Sequence, residues 1–277
     1  MILALDVGNS QIFGGLFAGS DAVSIRFRRS TRPATSADEL GVFLRSVIRE
    51  NGGDPAAVAQ IACCSVVPEA IYSVRSCCRR YFGIDPFVLG AGARTGLRIR
   101  YRNAVELGPD RVAAAIAASS LFADQNVIIV DFGTATTIDV VSASREHMGG
   151  LILPGLRIQM EALEQNTARL PTVEIRPVAD LLGRSTVECI QAGLYFGTRI
   201  AVEGIAREIR SRFFGGQPCR AIATGGFARL FEQDPVFDAL VPDLVLIGLK
   251  RALALNPDAS SAWTMPPGHG SSTQPAS

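Results

Sequence analysis

The chain has 277 residues, 48% of them hydrophobic and 19% charged, with a net charge of +1 from 27 basic and 26 acidic side chains. That length accommodates two domains of ordinary size, and the composition predicts a well-filled core rather than disorder. The balanced charge excludes a bulk electrostatic pull on nucleic acid, and no apolar run reaches membrane-spanning length. Met1-Ile2-Leu3 enters an apolar strand pattern with no leader, so a cytoplasmic protein without membrane or nucleic-acid partners is expected. Cys63, Cys64, Cys77, Cys78, Cys189 and Cys219 lack Cys-x-x-Cys spacing and are expected to be free, mostly buried thiols. His147 and His269 are too isolated for a Ser-His-Asp or Cys-His arrangement, which leaves carboxylates as candidate bases.

The first apolar run, residues 2–5, leads into Asp6-Val7-Gly8-Asn9-Ser10 and a second run, Gln11-Ile12-Phe13-Gly14-Gly15-Leu16-Phe17. A short apolar run bounded by glycine reads as a buried strand, and the turn returns the second run as its antiparallel neighbour. Residues 23–28 alternate at period two and predict a third, edgeward strand. Ser36 with Glu39 three residues later predicts a capped helix that turns Leu40, Phe43, Leu44 and Val47 inward and stops at Asn51-Gly52-Gly53. A buried strand over 58–64 and a helix from Pro68 through Tyr81 complete an α/β pattern with a mixed sheet.

Residues 96–101 look extended, 102–107 are polar loop, and Gly108-Pro109-Asp110-Arg111 leads into an Ala-rich helix over 112–122. On these residues alone two readings stay open. Asp110 is a helix cap beside a solvated Arg111, or it is an acid–base carboxylate beside an arginine that clamps a carboxylate or phosphate.

The next strand repeats the opening. Val127-Ile128-Ile129-Val130-Asp131-Phe132-Gly133-Thr134 precedes Ala135-Thr136-Thr137-Ile138-Asp139-Val140-Val141, and 131 − 6 and 133 − 8 both give 125. A hairpin tip of this kind offers backbone N–H groups and hydroxyls to phosphate, with a carboxylate near for a metal ion. One copy is most simply a turn. Two copies in equivalent halves point to two similar domains facing each other across bound phosphates.

Beyond it come a glycine-framed strand over 149–155, an amphipathic helix over 156–168 and a loop over 177–184. Ser185 with Glu188 then opens a long helix reaching Phe213. Gly193, Gly197 and Gly204 lie near one face of that helix and predict close approach of another helix, in this chain or a second subunit. Residues 219–223 predict a strand, and Thr224-Gly225-Gly226 a turn where a flat ring can approach the backbone before a helix near Phe227. A helix over 244–255 closes the fold. The tail 257–277, with Trp263, is rich in Pro, Ser and Gly and is expected to be disordered.

Asp6-Val7-Gly8-Asn9-Ser10, Gly108-Pro109-Asp110-Arg111, Asp131-Phe132-Gly133-Thr134-Ala135-Thr136-Thr137, Gly149-Gly150-Leu151-Ile152-Leu153-Pro154-Gly155 and Thr224-Gly225-Gly226 occur in the order seen in type III pantothenate kinases. The resemblance spans residues 1–255. It implies an α/β fold of two similar ribonuclease-H-like (actin-like ATPase) domains, 1–122 and 123–256, with mixed five-stranded sheets flanked by helices. The implied activity is ATP-dependent phosphorylation of the primary hydroxyl of pantothenate, the first step towards coenzyme A. The implied cofactors are ATP with Mg²⁺ and a monovalent cation, K⁺ or NH₄⁺.

Position by position, the resemblance assigns Asp6, Val7, Gly8, Asn9, Ser10, Gln11, Ile12 and Phe13 to the ATP phosphates, with Asp6 acting through Mg²⁺. Thr134 adds the second hairpin, Gly225 the adenosine-side turn, and Asp131 the monovalent-cation ligand. Asp110 becomes the base and Gly108, Pro109, Asp110 and Arg111 the substrate loop, with Arg111 gripping the pantothenate carboxylate in bidentate fashion. Tyr101 and Thr186 match further substrate contacts, and the strand at Gly149 matches a dimer-interface motif, so a homodimer is implied. Pro109 stands where the family more often has Ala, and Gln11 and Phe13 where smaller or β-branched residues are commoner; no required group is lost.

The rival expectations are a non-catalytic nucleotide-gated accessory regulator of transcription, and a phosphatase or another small-molecule kinase on the same fold. Retention of Asp6, Asp110, Arg111 and Asp131 favours a working kinase, and the Gly-x-Asp-Arg loop favours pantothenate. The absence of Gly-x-x-x-x-Gly-Lys-Ser/Thr excludes the P-loop route.

Overall fold

The computed structural model describes residues 1–31 and 35–262. β1 (Ile2–Val7) and β2 (Gln11–Phe17) form the expected hairpin, with Asp6 opposite Phe13 and Val7 opposite Ile12. β3 (Val23–Ser30) is the edge strand beside β2, and its alternation turns Val23 and Phe27 inward. α1 (Ala37–Glu50) begins at the complete Ser36–Glu39 capping box and buries Leu40, Leu44 and Ile48. A 3₁₀ turn at Pro55–Ala57 precedes β4 (Gln60–Ser65), which lies parallel to β1. α2 (Ala70–Phe82) and the two-residue strands β5 (Ile84–Asp85) and β6 (Phe87–Val88) follow, and the first sheet runs β3-β2-β1-β4-β6.

The second sheet copies that plan. After β7 (Arg98–Ile99) and α3 (Pro109–Leu121) come β8 (Asn126–Phe132), β9 (Ala135–Val141) and β10 (Glu146–Pro154). α4 (Leu156–Gln165) and α5 (Thr186–Phe214) lead to β11 (Cys219–Thr224), β12 (Ala239–Leu240) and α6 (Leu244–Leu255). The order is β12-β11-β8-β9-β10-β7. Its central strand β8 is antiparallel to β9 and parallel to β11, as β1 is to β2 and β4. The expected count of five strands is corrected to six, because β7, from the first half of the chain, adds in parallel to the edge of β10.

The core is layered. α1 and α2 cover the outer face of the first sheet, where Leu3, Leu5 and Val7 point. α4 and α5 cover the outer face of the second, where Ile128 and Val130 point. Between the sheets lie α3 and α6, packed with Ala4, Ala62 and Cys64 on one side and Val127 and Ile129 on the other. The two helices touch through backbone: a Cβ on Gly248 would collide with the carbonyl of Ala113. An Ala-rich α3 is what a helix squeezed between two sheets requires, since only small side chains let both layers approach.

Three expectations are revised here. α3 starts at Pro109 rather than 112, with Gly108 as N-cap and proline at the first helical position, so Asp110 and Arg111 belong to its first turn. The tail is ordered as far as residue 262: a 3₁₀ turn at Pro257–Ala259 leads to β13 (Ser261–Ala262), which pairs with β5. Trp263 and the rest of the tail lie outside the described residues. A Cβ on Gly193, Gly197 or Gly204 would meet nothing within 4 Å, so the helix expected against them is not supplied by the described part of this chain. All six cysteines are free; Cys63, Cys64, Cys77 and Cys78 are buried, Cys219 half-buried and Cys189 exposed. No helix among the described residues is long and apolar enough to cross a membrane.

Candidate active site

The two hairpins differ by one residue. β1 and β2 are joined by Gly8-Asn9-Ser10, β8 and β9 by Gly133-Thr134 alone, so Asp131 faces Thr137 where the repeat of Asp6 facing Phe13 would predict Ile138. Each tip is closed by a glycine N–H: Gly8 donates to the Gln11 carbonyl (3.0 Å) and Gly133 to that of Ala135 (3.1 Å). The tips meet across the cleft, where Ser10 Oγ and Thr134 Oγ1 share a hydrogen bond of 2.9 Å. Thr31, a residue the sequence did not single out, braces the longer tip: its N–H donates to the Ser10 carbonyl (3.0 Å) and its hydroxyl to that of Gly8 (2.7 Å).

Three carboxylates converge beneath these tips. Asp6 ends β1, Asp131 ends β8 and Asp110 lies in the first turn of α3. Burial pushes Asp6 up to about 7, with the charges of Asp110 and Asp131 adding to the rise and the Cys64 thiol, which donates to Asp6 Oδ1 at 3.3 Å, opposing it. Burial likewise pushes Asp131 up to about 7, helped by Asp110 and Asp139 and opposed by Arg28. Asp110 is raised by burial, while the Arg111 N–H donating to its Oδ1 (2.8 Å) pulls the other way. Carboxylates that crowd and raise one another call for a cation. Among the described residues no group of three or more Asp, Glu, His or Cys forms a metal cage. The donor set therefore fits a hard ion held by one or two carboxylates together with phosphate oxygens, which is how Mg²⁺ is bound.

The Thr224-Gly225-Gly226 turn closes over Asp131. Gly225 has φ +92°, and a Cβ there would collide with Asp131 Oδ1, so glycine is required on two counts. Residues 228–231 form a 3₁₀ turn where a helix was expected. Arg28 on β3, also unassigned by the sequence, stacks its guanidinium over the Phe13 ring (4.6 Å) and comes close to Gly226.

On the other side, Arg111 is only 8% exposed, and its fork is engaged by Asp139: Nε donates to Oδ2 (3.0 Å) and Nη2 to Oδ1 (2.8 Å). Nη1 donates to the Tyr101 hydroxyl at 3.1 Å. Burial disfavours the Arg111 charge, but Asp139 and Tyr101 outweigh it and the group is raised. In this structure the Arg111 fork pairs in bidentate fashion with Asp139, and Nη1 is the guanidinium nitrogen that does not meet that carboxylate. Thr186 opens α5, exposed to solvent, and shares no hydrogen bond with Tyr101, Asp110 or Arg111.

A family model described as type III pantothenate kinase matches residues 2–208. The chain belongs to that family. Type III pantothenate kinases from Legionella pneumophila (strain Corby) and Elusimicrobium minutum are 52% and 45% identical to it over 256 residues, covering 92% of this chain and 99% of theirs. Among solved structures, a Campylobacter jejuni protein provisionally described as a Baf family transcriptional activator is similar at a TM-score of 0.59 and 19% identity, over 92% of this chain and 99% of that one. A Sinorhizobium meliloti protein provisionally described as a 2-dehydro-3-deoxygalactonokinase is similar at 0.56 and 14%, over 93% and 97%. Those two establish the shared two-sheet fold alone. As a type III pantothenate kinase the chain phosphorylates pantothenate in coenzyme A biosynthesis, with ATP and a divalent metal, and the regulator reading is not favoured.

Proposed function

We propose that Asp110 is the general base of this kinase, taking the proton of the primary hydroxyl of pantothenate, while the two hairpin tips hold the ATP phosphates between them. The observation that carries this reading is the convergence of Asp6, Asp110 and Asp131 beneath the Ser10–Thr134 contact. A primary alcohol is a poor nucleophile, and a carboxylate raised by burial is a better base than one in water. The N–H groups and side chains of residues 6–13 and of Thr134 receive the phosphates, and Gly225 admits the adenosine side. Mg²⁺, held through Asp6 and the phosphates, would offset charge on the transferring group.

The single lysine, Lys250, is committed to Asp21 and the Ser20 carbonyl, so bound cations, backbone N–H groups and Arg28, stacked over Phe13, carry that role. Asp131 is the proposed ligand of K⁺ or NH₄⁺. Arg111, with Tyr101, Gly108, Pro109 and Thr186, orients pantothenate so that its hydroxyl lies in line. We assign the first domain to residues 1–122 and the second to 123–256, and a cytoplasmic setting without nucleic-acid or membrane partners. A homodimer forms through the exposed face of α5 and β10. There Leu151, Ile200 and Phe213 line a groove of about 480 Å³, beside Ile152, itself 66% exposed.

ADP release from ATP and Mg²⁺ in K⁺ buffer tests the reading. Turnover is expected with pantothenate and not with a panel of sugars. Asp110→Asn should lower kcat by about 10²- to 10⁴-fold with nucleotide binding intact, and near-normal turnover would remove Asp110 from the role of base. Replacing K⁺ by Na⁺ should lower the rate; equal rates would take the cation away from Asp131.

A further inference from the structure

One half of a buried polar cluster, Asp139 and His147, has no role in the assignments above. Asp139 is 2% exposed and His147 0%, both under the substrate loop. Asp139 accepts from Arg111 Nε and Nη2, and its Oδ1 also accepts from His147 Nε2 at 2.7 Å. A carboxylate can only accept, so Nε2 carries the proton, and Nδ1 is left buried without a partner. Room for the cluster is made by the strand beside it. The register of β10 on β9 slips between His147 and Gly149, and Gly150 then sits opposite Asp139. A Cβ on Gly150 would lie 2.7 Å from Arg111 Nη2 and 2.9 Å from Asp139 Oδ1. The last member is Tyr101, whose ring centre is 5.8 Å from that of His147 and whose hydroxyl takes the remaining Arg111 nitrogen.

We propose that Asp139 is a positioning residue of the pantothenate site. It locks the Arg111 fork so that only the Nη1 edge, with Tyr101, meets the substrate, and His147 braces Asp139 in turn. This rests on the reading of Arg111 as a substrate contact. An arginine on a free side chain samples many rotamers, whereas one held by two parallel charge-assisted bonds presents a single edge. A third bond to the same carboxylate fixes the carboxylate.

A merely structural ion pair and a positioning pair differ in steady-state kinetics. In the positioning case Asp139→Asn raises KM for pantothenate about tenfold or more, with KM for ATP unchanged within about twofold. In the structural case the folded variant shows a smaller active fraction, so kcat falls and both KM values stay. That second outcome overturns the proposal. Should Asp139→Asn not fold, the His147 pair decides. His147→Phe should raise KM for pantothenate about threefold or more, and His147→Gln, whose amide can still donate to Asp139, should restore it to within about twofold of wild type. A His147→Phe enzyme with wild-type KM overturns the proposal as well. Arg111→Ala separates the two layers of inference. An unchanged pantothenate KM in Arg111→Ala would sink the role of Arg111 itself, whereas a raised one beside an unmoved Asp139→Asn would sink only the role of Asp139.

Discussion

At the scale of single residues, the site is built from groups that ordinary water would not favour in these states. Asp6 and Asp131 are held up to about 7 by burial and by their acidic neighbours, and the positive group that opposes the rise at Asp131 is Arg28. Arg28 lies over Phe13 and beside Gly226, which places one cation between the first hairpin and the Thr224-Gly225-Gly226 turn. Arg28→Ala is expected to raise KM for ATP by about three- to tenfold, the range of one charge-assisted contact, with KM for pantothenate unchanged. Initial-rate kinetics with each substrate varied check this, and an unmoved ATP KM would remove Arg28 from the nucleotide site. Sequence made the carboxylates legible because each sits in a short motif with a turn glycine. It hid Asp139 and His147. They are eight residues apart on neighbouring strands, so nothing local ties a lone histidine to an aspartate inside a Thr-Thr-Ile-Asp-Val-Val run. Arg28 was hidden for a similar reason, as one of three arginines on an edge strand.

At the scale of elements, the hairpins, capped helices and the long α5 were legible, since each has a period or a cap of its own. Two-residue strands such as β5, β7 and β13 have neither, and exist only because a partner strand supplies the hydrogen bonds. That is why the second sheet gained a strand and the tail proved ordered to residue 262. The Ala-rich composition of α3 was legible, but not what it serves, the crossing with α6. Gly248→Ala puts a methyl group into the Ala113 carbonyl and is expected to destabilise by about 1–3 kcal/mol, the usual cost of overpacking. Denaturant unfolding would measure it; a gain in stability would show that the crossing relaxes freely.

At the scale of the whole molecule, the acidic cleft couples stability to pH. In the ligand-free protein Asp6 and Asp131 have been moved from 3.8 to about 7, so between these values the folded chain holds protons that the unfolded chain has released. Their contribution is fully present at the acid end and is lost as pH rises through about 7. The melting temperature of the ligand-free protein should therefore fall from about pH 5.5 to about pH 8 more steeply than that of an Asp6→Asn, Asp131→Asn double variant. Parallel curves would contradict the raised values. The exposed apolar face on α5 and β10 has its own test. For the proposed homodimer, Phe213→Glu should shift the sedimenting species from dimer to monomer, and an unchanged mass would contradict an interface on this face.

The position of α6 also constrains how the protein can be made. Its residues lie on the inner face of the first sheet, against β1 and β4, yet they are made only after every strand of that sheet. Until α6 is made, α3 can reach β4 but Ala4 on β1 and Phe17 on β2 lack the helix that packs against β1, however complete the hairpin. The amino-terminal lobe is thus expected to stay open to protease on stalled nascent chains ending before Leu244 and to become resistant once α6 has emerged. Resistance at the shorter length would mean that the lobe closes without it.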